Sequence, residues 1–459
     1  MPDVISMSGL NTSLFIGWQA LEAAQGALNA TSNNIANANT PGYTREVAQF
    51  VEGQESLVGG QVIGGGVSLT GLQSVRDELL NLQIQQQTSM QSSADTQSSS
   101  LQQIQSYFTT SGGDIASALS SFSSSLAQLS AAPSNGSSQQ QVLSSGQNLA
   151  RAFNTTANGL TSAQTDADTQ VTQTVAQINS LSQQIAQLNG ELAQGTAAGQ
   201  DGGTIQDQRD ELVQQLSKLT GIAITQSSDG ETIATANGSP LVMGGKSYSL
   251  QTTTGADGKQ HVLDTNGNDI TTSIQGGQLG GAIQVRDQIV PGFLNQLNTL
   301  ASQFAAAFNA AQTKGFDSNG NTGQSFFSVS TTGAASSINV AISDPSLIAI
   351  SSDGSAGSNG NVANLSAVLT TALPSGQSPV QAYASLVNQV GMAASNASTQ
   401  SSAIGQSLLQ LANRQGSVSG VSIDEETTNL IRFQTAYQAA ARIVSTIQRL
   451  NADTINMIS

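Results

Sequence analysis

LFIGWQALEAAQGALNATSNNIANANTPGY, residues 14–43, joins a helical stripe to an abrupt stop. Leu14, Trp18, Leu21, Gln25, Leu28, Ser32 and Ile35 fall at alternating steps of four and three, a heptad seam interrupted by two polar residues. Pro41 then removes a backbone donor and pushes Thr40 out of the α region, while Gly42 supplies the positive φ of a type II turn before Tyr43. At the far end, Leu430, Phe433, Tyr437, Ala440, Val444, Ile447, Asn451, Thr454 and Ile458 step by three and four in the same way. Ser422-Ile423-Asp424-Glu425 in front of them has the spacing of a capping box, with acids where a helix dipole favours them.

Two seams at opposite ends predict helix–helix packing at each, either as an internal core or against neighbouring subunits. Ordering so long a segment costs more backbone entropy than a handful of seam side chains recovers, so neither helix is expected to be stable alone. Both ends are therefore expected to be mobile in the isolated chain and to become ordered against neighbouring subunits.

Between the ends the character alternates. Residues 45–51, 61–63 and 67–69 read as a β excursion bracketed by Gly59-Gly60 and Gly64-Gly65-Gly66. Helices follow at 75–109 and 115–129, then, after the Pro133-Ser134-Asn135-Gly136 break, at 139–194 and 205–219, with a linker at 199–203. Val171, Val175, Ile178, Leu181, Ile185, Leu188 and Leu192 give the third of these an apolar stripe. Short strands are expected at 222–225, 232–234, 241–243, 248–250 and 261–263, separated by Asp-Gly, Asn-Gly and Gly-Gly turns. Helix returns at 281–312, kinked or restarted at Pro291, and again from 379 almost to the end.

The expected fold is mainly α with inserted β: an elongated helical bundle and coiled coil formed by both chain ends, carrying one or two small all-β outer domains. The divisions are an inner element of 1–43 with 423–459, a bundle of 44–220 with 279–422 and a hairpin near 44–72, and a β domain at 221–278. Residues 316–360 form a weakly β, Gly/Ser/Asn-rich region.

Composition narrows function by exclusion. The 459 residues carry 13 Lys+Arg against 29 Asp+Glu, a net charge of −16, which opposes nucleic acid and anionic membrane surfaces. No apolar run reaches the roughly 18 residues needed to span a bilayer, and the N-terminus lacks the cationic and apolar regions of a Sec signal. Without Cys there is no disulfide or thiolate chemistry. With 4% aromatic residues, the cores are expected to be thin layers between helices rather than large aromatic clusters.

Candidate chemistry is sparse. Asp264-Thr265-Asn266-Gly267-Asn268-Asp269 and Asp317-Ser318-Asn319-Gly320-Asn321 begin like calcium loops but lack Gly at the sixth position and Glu at the twelfth, so they read as turns. The glycine runs at 64–66 and 276–277 lack a P-loop Lys. His261, the sole His, has nothing framing a nucleophile around it. Trp18 reads as a packing anchor. Asn29, Asn33 and Asn37, with Asn34 and Asn39 nearby, form either a buried amide ladder that fixes subunit register or an exposed, capping polar face. No catalytic, cofactor or metal site is expected. The candidate functional residues are those of an assembly interface: Leu14, Trp18, Leu21, Leu28, Asn33, Asn34, Ile35, Asn37, Pro41, Gly42, Tyr43, Leu430, Phe433, Tyr437, Ala440, Val444, Ile447 and Ile458.

SNNIANANTPGYTR, residues 32–45, resembles the signature of bacterial flagellar axial proteins. SVSGVSIDEETTNLIRFQTAYQAAARIVSTIQRLNADTINMI, residues 417–458, resembles the end of the hook-associated protein 1 family, the hook–filament junction proteins. Residues 274–281, IQGGQLGG, with Arg286-Asp287, Ala307-Phe308-Asn309 and Phe326-Phe327 extend the likeness inward. The resemblance implies a non-enzymatic structural protein of the extracellular flagellum, exported by the type III pathway without a cleaved signal, whose two terminal helices pair as a coiled coil. Its implied partners are the hook protein, the second junction protein, like subunits, and a cytoplasmic export chaperone at the C-terminal helix. Another axial component, hook or filament-type, and a secreted adhesin are the alternatives; a cell-wall hydrolase would need paired acids or a His cluster that the sequence does not offer.

Overall fold

A computed structural model describes residues 2–58, 61–108, 114–197, 202–227 and 230–458; Gly59, Gly60, Thr109 and residues 199–201 of the expected linker lie outside them. The first seam lies in α1 (Pro2–Ala36), which ends at the expected turn: Gly42 takes φ +79° and the Tyr43 N–H donates to Thr40 O at 3.2 Å. The chain runs out along β1 (Glu46–Glu52), through a hairpin of β2 (Ser56–Val58) and β3 (Gln61–Ile63), and back along β4 (Val67–Ser74), which pairs antiparallel with β1.

The helical body begins with α2 (Glu78–Phe108), α3 (Ile115–Ala131), α4 (Gly136–Ala197) and α5 (Gly203–Leu219). Asp114 starts α3 by accepting from the Ser117 N–H at 2.6 Å. With 62 residues, α4 is about 90 Å long and serves two cores.

A β module follows. β5 (Ile222–Ser227), β6 (Gly230–Thr235), β7 (Pro240–Met243) and β8 (Lys246–Ser247) form an antiparallel meander, and β9 (Gln251–Thr254) and β10 (Gln260–Leu263) a separate hairpin. The strand expected at 248–250 does not form. Leu250 is buried, and its N–H and C=O are both bound at 2.8 Å by the side-chain amide of Asn179 on α4, so a helix side chain takes the place of a neighbouring strand.

The next helix runs as α6 (Gly277–Gln284), a π turn (Val285–Ile289) and α7 (Val290–Gln312). The break expected at Pro291 is thus absorbed just ahead of it, where the ring's missing N–H and its crowding of the preceding turn are accommodated. Beyond come β11 (Phe327–Ser328), α8 (Ala334–Ser337), β12 (Asn339–Val340) and α9 (Gly360–Ala367). Then α10 (Pro379–Ser419), started by a capping box of Ser378 and Gln381, lies along α2, and α11 (Ile423–Ile458) returns to α1.

The body's core corrects one expectation. Phe122, Phe304, Phe308, Phe326 and Phe327 form a fully buried aromatic cluster with ring centroids 4.8 to 6.4 Å apart. The chain has only 12 Phe, yet five converge here, so a low average conceals a dense local core. A second core joins the expected stripe of α4, including Val171, Val175, Ile178 and Ile185, to α5 and the β module. Between the cores lies Arg286, 1% exposed in the π turn. It binds Asp168 of α4 at 2.7 Å, Asp287 at 2.7 Å and the Gln260 carbonyl of β10 at 2.5 Å. Burial works against its charge, but the hydrogen bonds to Asp287 and Asp168 outweigh that and raise its pKa.

Candidate assembly interface

α1 and α11 lie antiparallel: Gly17 meets Val444, and Asn34 meets Glu426. The stripe that α1 gives to its own chain is one of small residues. Gly17, Ala24, Ala27, Thr31 and Asn34 are buried, and with half-buried Ala20 they keep the three-and-four spacing. Against them α11 sets the seam read from sequence: Ala440, Val444 and Ile447 are buried, and Leu430, Phe433 and Tyr437 half-buried. Small residues on one helix let larger ones on the other approach closely; a Cβ on Gly17 would lie 2.8 Å from Val444 Cγ2. The side chain of Ile458 lies outside the described residues. Another side of α1 rests on the hairpin, where a Cβ on Gly26 would meet Leu69 Cδ2 of β4 at 2.3 Å.

The large stripe of α1 takes no such place. Successive residues are about 100° apart on a helix, so Leu14, Leu21, Leu28 and Ile35 sit beside the small stripe rather than on it. They are half-buried, Trp18 is 51% exposed and Phe15 61% exposed. Two heptad stripes run along one helix, and hydropathy picks out the one with larger side chains. On α11, Ile431, Ile443 and Leu450 are also exposed, outside its seam.

The asparagines divide. Asn29 and Asn33 are exposed and Asn37 half-buried; Asn37 donates to Asn33 O and Oδ1 at 3.1 and 2.9 Å, and Thr40 Oγ1 to Asn37 Oδ1, closing the fraying helix end. Within the chain, this row is the capping face, not a buried ladder. Asn34, 1% exposed, is the buried amide. Its Nδ2 donates to Glu46 O at 2.8 Å and to Glu426 Oε2 at 3.2 Å, while its Oδ1 accepts from the Glu46 N–H and Tyr43 Oη–H. One side chain thus ties α1, β1 and α11 together. Burial, then the carboxylates of Glu46, Asp207 and Glu426, push the Tyr43 phenol above its ordinary value, keeping it a neutral donor.

Charged groups complete this joint. Arg45 binds Glu425 at 2.9 Å, so that carboxylate reaches the hairpin, while the Glu425 N–H donates to Ser422 Oγ at 3.4 Å as the capping reading expects. The Thr44 N–H donates to Asp207 on α5 at 3.1 Å, and Arg76 binds both Asp207 and Asp210. Pro41 and Gly42 are exposed and line a cavity of about 240 Å³ together with Arg76, Gln85, Asp207 and Gln415. Of these joint residues, Asn34, Tyr43, Thr44 and Arg45 lie in the sequence motif, and Asn34 and Tyr43 were among the candidates. Arg45, Glu46, Arg76, Asp207 and Glu426 were not singled out; Glu426 carries a signal only as a further acid in a first turn, which helix-dipole preference already explains.

The other candidates are structural. Both His261 nitrogens are taken by carboxylates, Asp269 at 2.6 Å and Asp257 at 3.2 Å, leaving neither for a nucleophile. Asp264 accepts from the Asn266 and Asn268 N–H groups and Asp317 from those of Asn319 and Asn321, so both carboxylates close their own turns. Among the described residues, no helix is long and apolar enough to cross a membrane.

Known proteins share this organisation. The family described as "Flagellar hook-associated protein FlgK helical domain" matches residues 101–327, "Flagella basal body rod protein" residues 16–44, and "Flagellar basal body rod FlgEFG protein C-terminal" residues 414–457. Flagellar hook-associated protein 1 of Bacillus subtilis (strain 168) is 32% identical over 97% of this chain and 98% of its own. That of Escherichia coli (strain K12) is 27% identical over 98% of both. The solved structure of the flagellar hook junction protein FlgK from Burkholderia pseudomallei has the same fold, with a TM-score of 0.67 at 18% identity, covering 74% of this chain and all of that one.

Proposed function

The chain belongs to the flagellar hook-associated protein 1 family, and from that premise we propose that the large stripe of α1, with α11 beside it, is the surface through which it joins hook to filament. It is a structural component of the extracellular flagellum, not an enzyme, and assembles with other axial components. The observation that carries the reading is the pair of stripes on α1. One is spent on its own chain; Leu14, Trp18, Leu21, Leu28 and Ile35 are left partly open along a helix with little charge of its own.

Such a surface suits head-to-tail contacts that propagate as a helical tube rather than closing into a ring. The hook protein on one side, the second junction protein on the other and like subunits alongside are the partners, and an export chaperone holds α11 before export. In this reading 1–43 and 423–459 are the inner element, mobile until assembled; 44–220 and 279–422 form the surrounding bundle; and 221–278 faces outward, with 316–360 as part of the body or outer region.

Replacing Leu14, Trp18 and Leu21 together by Ala tests this. Trp18 is half exposed and Leu14 and Leu21 only partly covered, so stability should shift by about 1 kcal/mol per site, well short of a core truncation. Cells carrying the variant should show hooks without filaments by negative-stain imaging and shed filament protein into the medium. Filaments attached normally to hooks would end the proposal, and would favour a surface-binding role for the β module.

A further inference from the structure

α5 holds different parts of the molecule at its two ends. With 17 residues it is about 25 Å long. Its first turn is seated on the joint: a Cβ on Gly203 would lie 2.4 Å from Glu46 Oε1 and 3.0 Å from Ser74 Oγ, so a larger residue would have to displace the Glu46 carboxylate. Asp207 accepts from the Thr44 N–H at 3.1 Å and binds Arg76 at 2.6 Å; Arg76 also binds Asp210. Arg209 then binds Asp210 at 2.9 Å and Glu231 of β6 at 3.1 Å. At the far end Leu216 and Leu219 enter the core of the β module, and the chain passes directly into β5.

Asp207, Arg76, Asp210, Arg209 and Glu231 therefore make one row of alternating charge from the terminal pair to the β module, none of the side chains more than 30% exposed. Cavities of about 240 Å³ flank the Arg76–Asp210 pair on both sides, one toward Pro41 and Gln415, the other toward Leu82 and Ile224. α5 also packs along α4 and α2, with Val213 buried, but beside the Arg76–Asp210 pair the charges bridge the space between the two cavities.

We propose that α5 is a strut that couples the tilt of the terminal helices to the orientation of the β module. A movement of α1 and α11 at the joint is passed through Thr44 and Arg76 to the N-terminal half of α5, and delivered to the module through Glu231 and the buried C-terminal turn. The coupling rests on the packed arrangement of α1, α11 and α5 and not on which surface meets a partner, so its test is separate from that of the assembly reading.

The chain has no Cys, so introduced pairs can be spin-labelled without ambiguity. Lys246→Cys with Gln410→Cys reports the β module against α10, and Gln434→Cys with Gln410→Cys reports α11 against α10; all three positions are exposed. Asp207→Asn, at the inner end of α5, should shift or broaden both distance distributions measured by pulsed electron resonance. Glu231→Gln should alter only the β-module pair, and the double variant should give that pair the same distribution as Glu231→Gln alone. A β-module distribution unchanged by Asp207→Asn overturns the proposal, whether or not α11 moves. Should Asp207→Asn lose helical circular dichroism, Gln208→Gly decides: it softens α5 at an exposed position, and must broaden the β-module pair for the strut to stand.

Discussion

The helical body and the terminal pair both join long helices, in opposite ways. In the body, the Phe122 ring alone meets four others, those of Phe304, Phe308, Phe326 and Phe327. Between α1 and α11 the first helix contributes a glycine, alanines, a threonine and one buried amide, against Ala440, Val444 and Ile447 of the second, while Phe15 and Trp18 stay largely exposed. Small side chains bury little apolar area each, so the α1 side of the pair gains much less per residue than the body. The body buries its aromatic cluster within the chain, whereas the terminal pair leaves Trp18 and Phe15 more than half exposed.

Breaking the body should have the largest effect. Phe122→Ala opens a cavity among four rings and should cost about 3–5 kcal/mol, read as a lower urea midpoint for the main unfolding transition. Asn34→Ala strikes the other region. It leaves the Glu46 backbone groups and the Glu426 carboxylate short of partners, a cost of about 1–3 kcal/mol confined to the joint. Limited proteolysis should then clip within 1–43 and 423–459 faster than in the unaltered chain, with the body's urea midpoint unmoved; a shifted midpoint would mean that the two regions unfold together.

A smaller effect should appear in the β module, outside both regions. Hydrogen bonds from Asp269 and then Asp257 raise the His261 pKa above its ordinary 6.5, so its stabilisation is complete below about pH 6.5 and lost as pH rises through the raised value. Asp269 is held down to about 2, against the opposing effect of burial, by Thr271 and His261; its share is present above its ordinary 3.8 and lost as pH falls toward 2. The imidazole should titrate above 6.5 by nuclear magnetic resonance. His261→Gln should remove about 0.2–1 kcal/mol near pH 5.5 and less at pH 9. Equal losses at both values would exclude the charged pair as the cause.

How much could be read from sequence depended on side-chain size and on distance along the chain. The seam of α11 was legible because the residues it buries or half-buries, Leu430, Phe433, Tyr437, Val444 and Ile447 among them, are mostly large and keep the three-and-four spacing, although Ile431, Ile443 and Leu450 outside it are exposed. On α1 the same reasoning found Leu14 to Ile35, while the stripe used within the chain is mostly alanine, nearly silent on any hydropathy scale. The turn at Pro41-Gly42 was legible because its geometry is local. The aromatic cluster was not, since Phe122 and Phe304 come together from distant helices and composition averages over both. Nor was the joint beyond Asn34 and Tyr43: Arg76, Asp207 and Asp210 belong to no local motif, and only the fold brings them to one place.

The π turn at Val285–Ile289 has a consequence for changes of length. A π turn accommodates a local insertion in an otherwise regular helix. Deleting one residue there would let α6 and α7 run on as a continuous α-helix with little rotation of one half against the other, because the wide turn already takes up the extra residue. Arg286 would swing away from Asp168 and Gln260, although no side chain in the contact had been altered. This stretch is therefore where the helix can lose one residue while its two halves keep their facing, and the loss should be felt locally, at the Arg286 contacts, rather than along the whole helix.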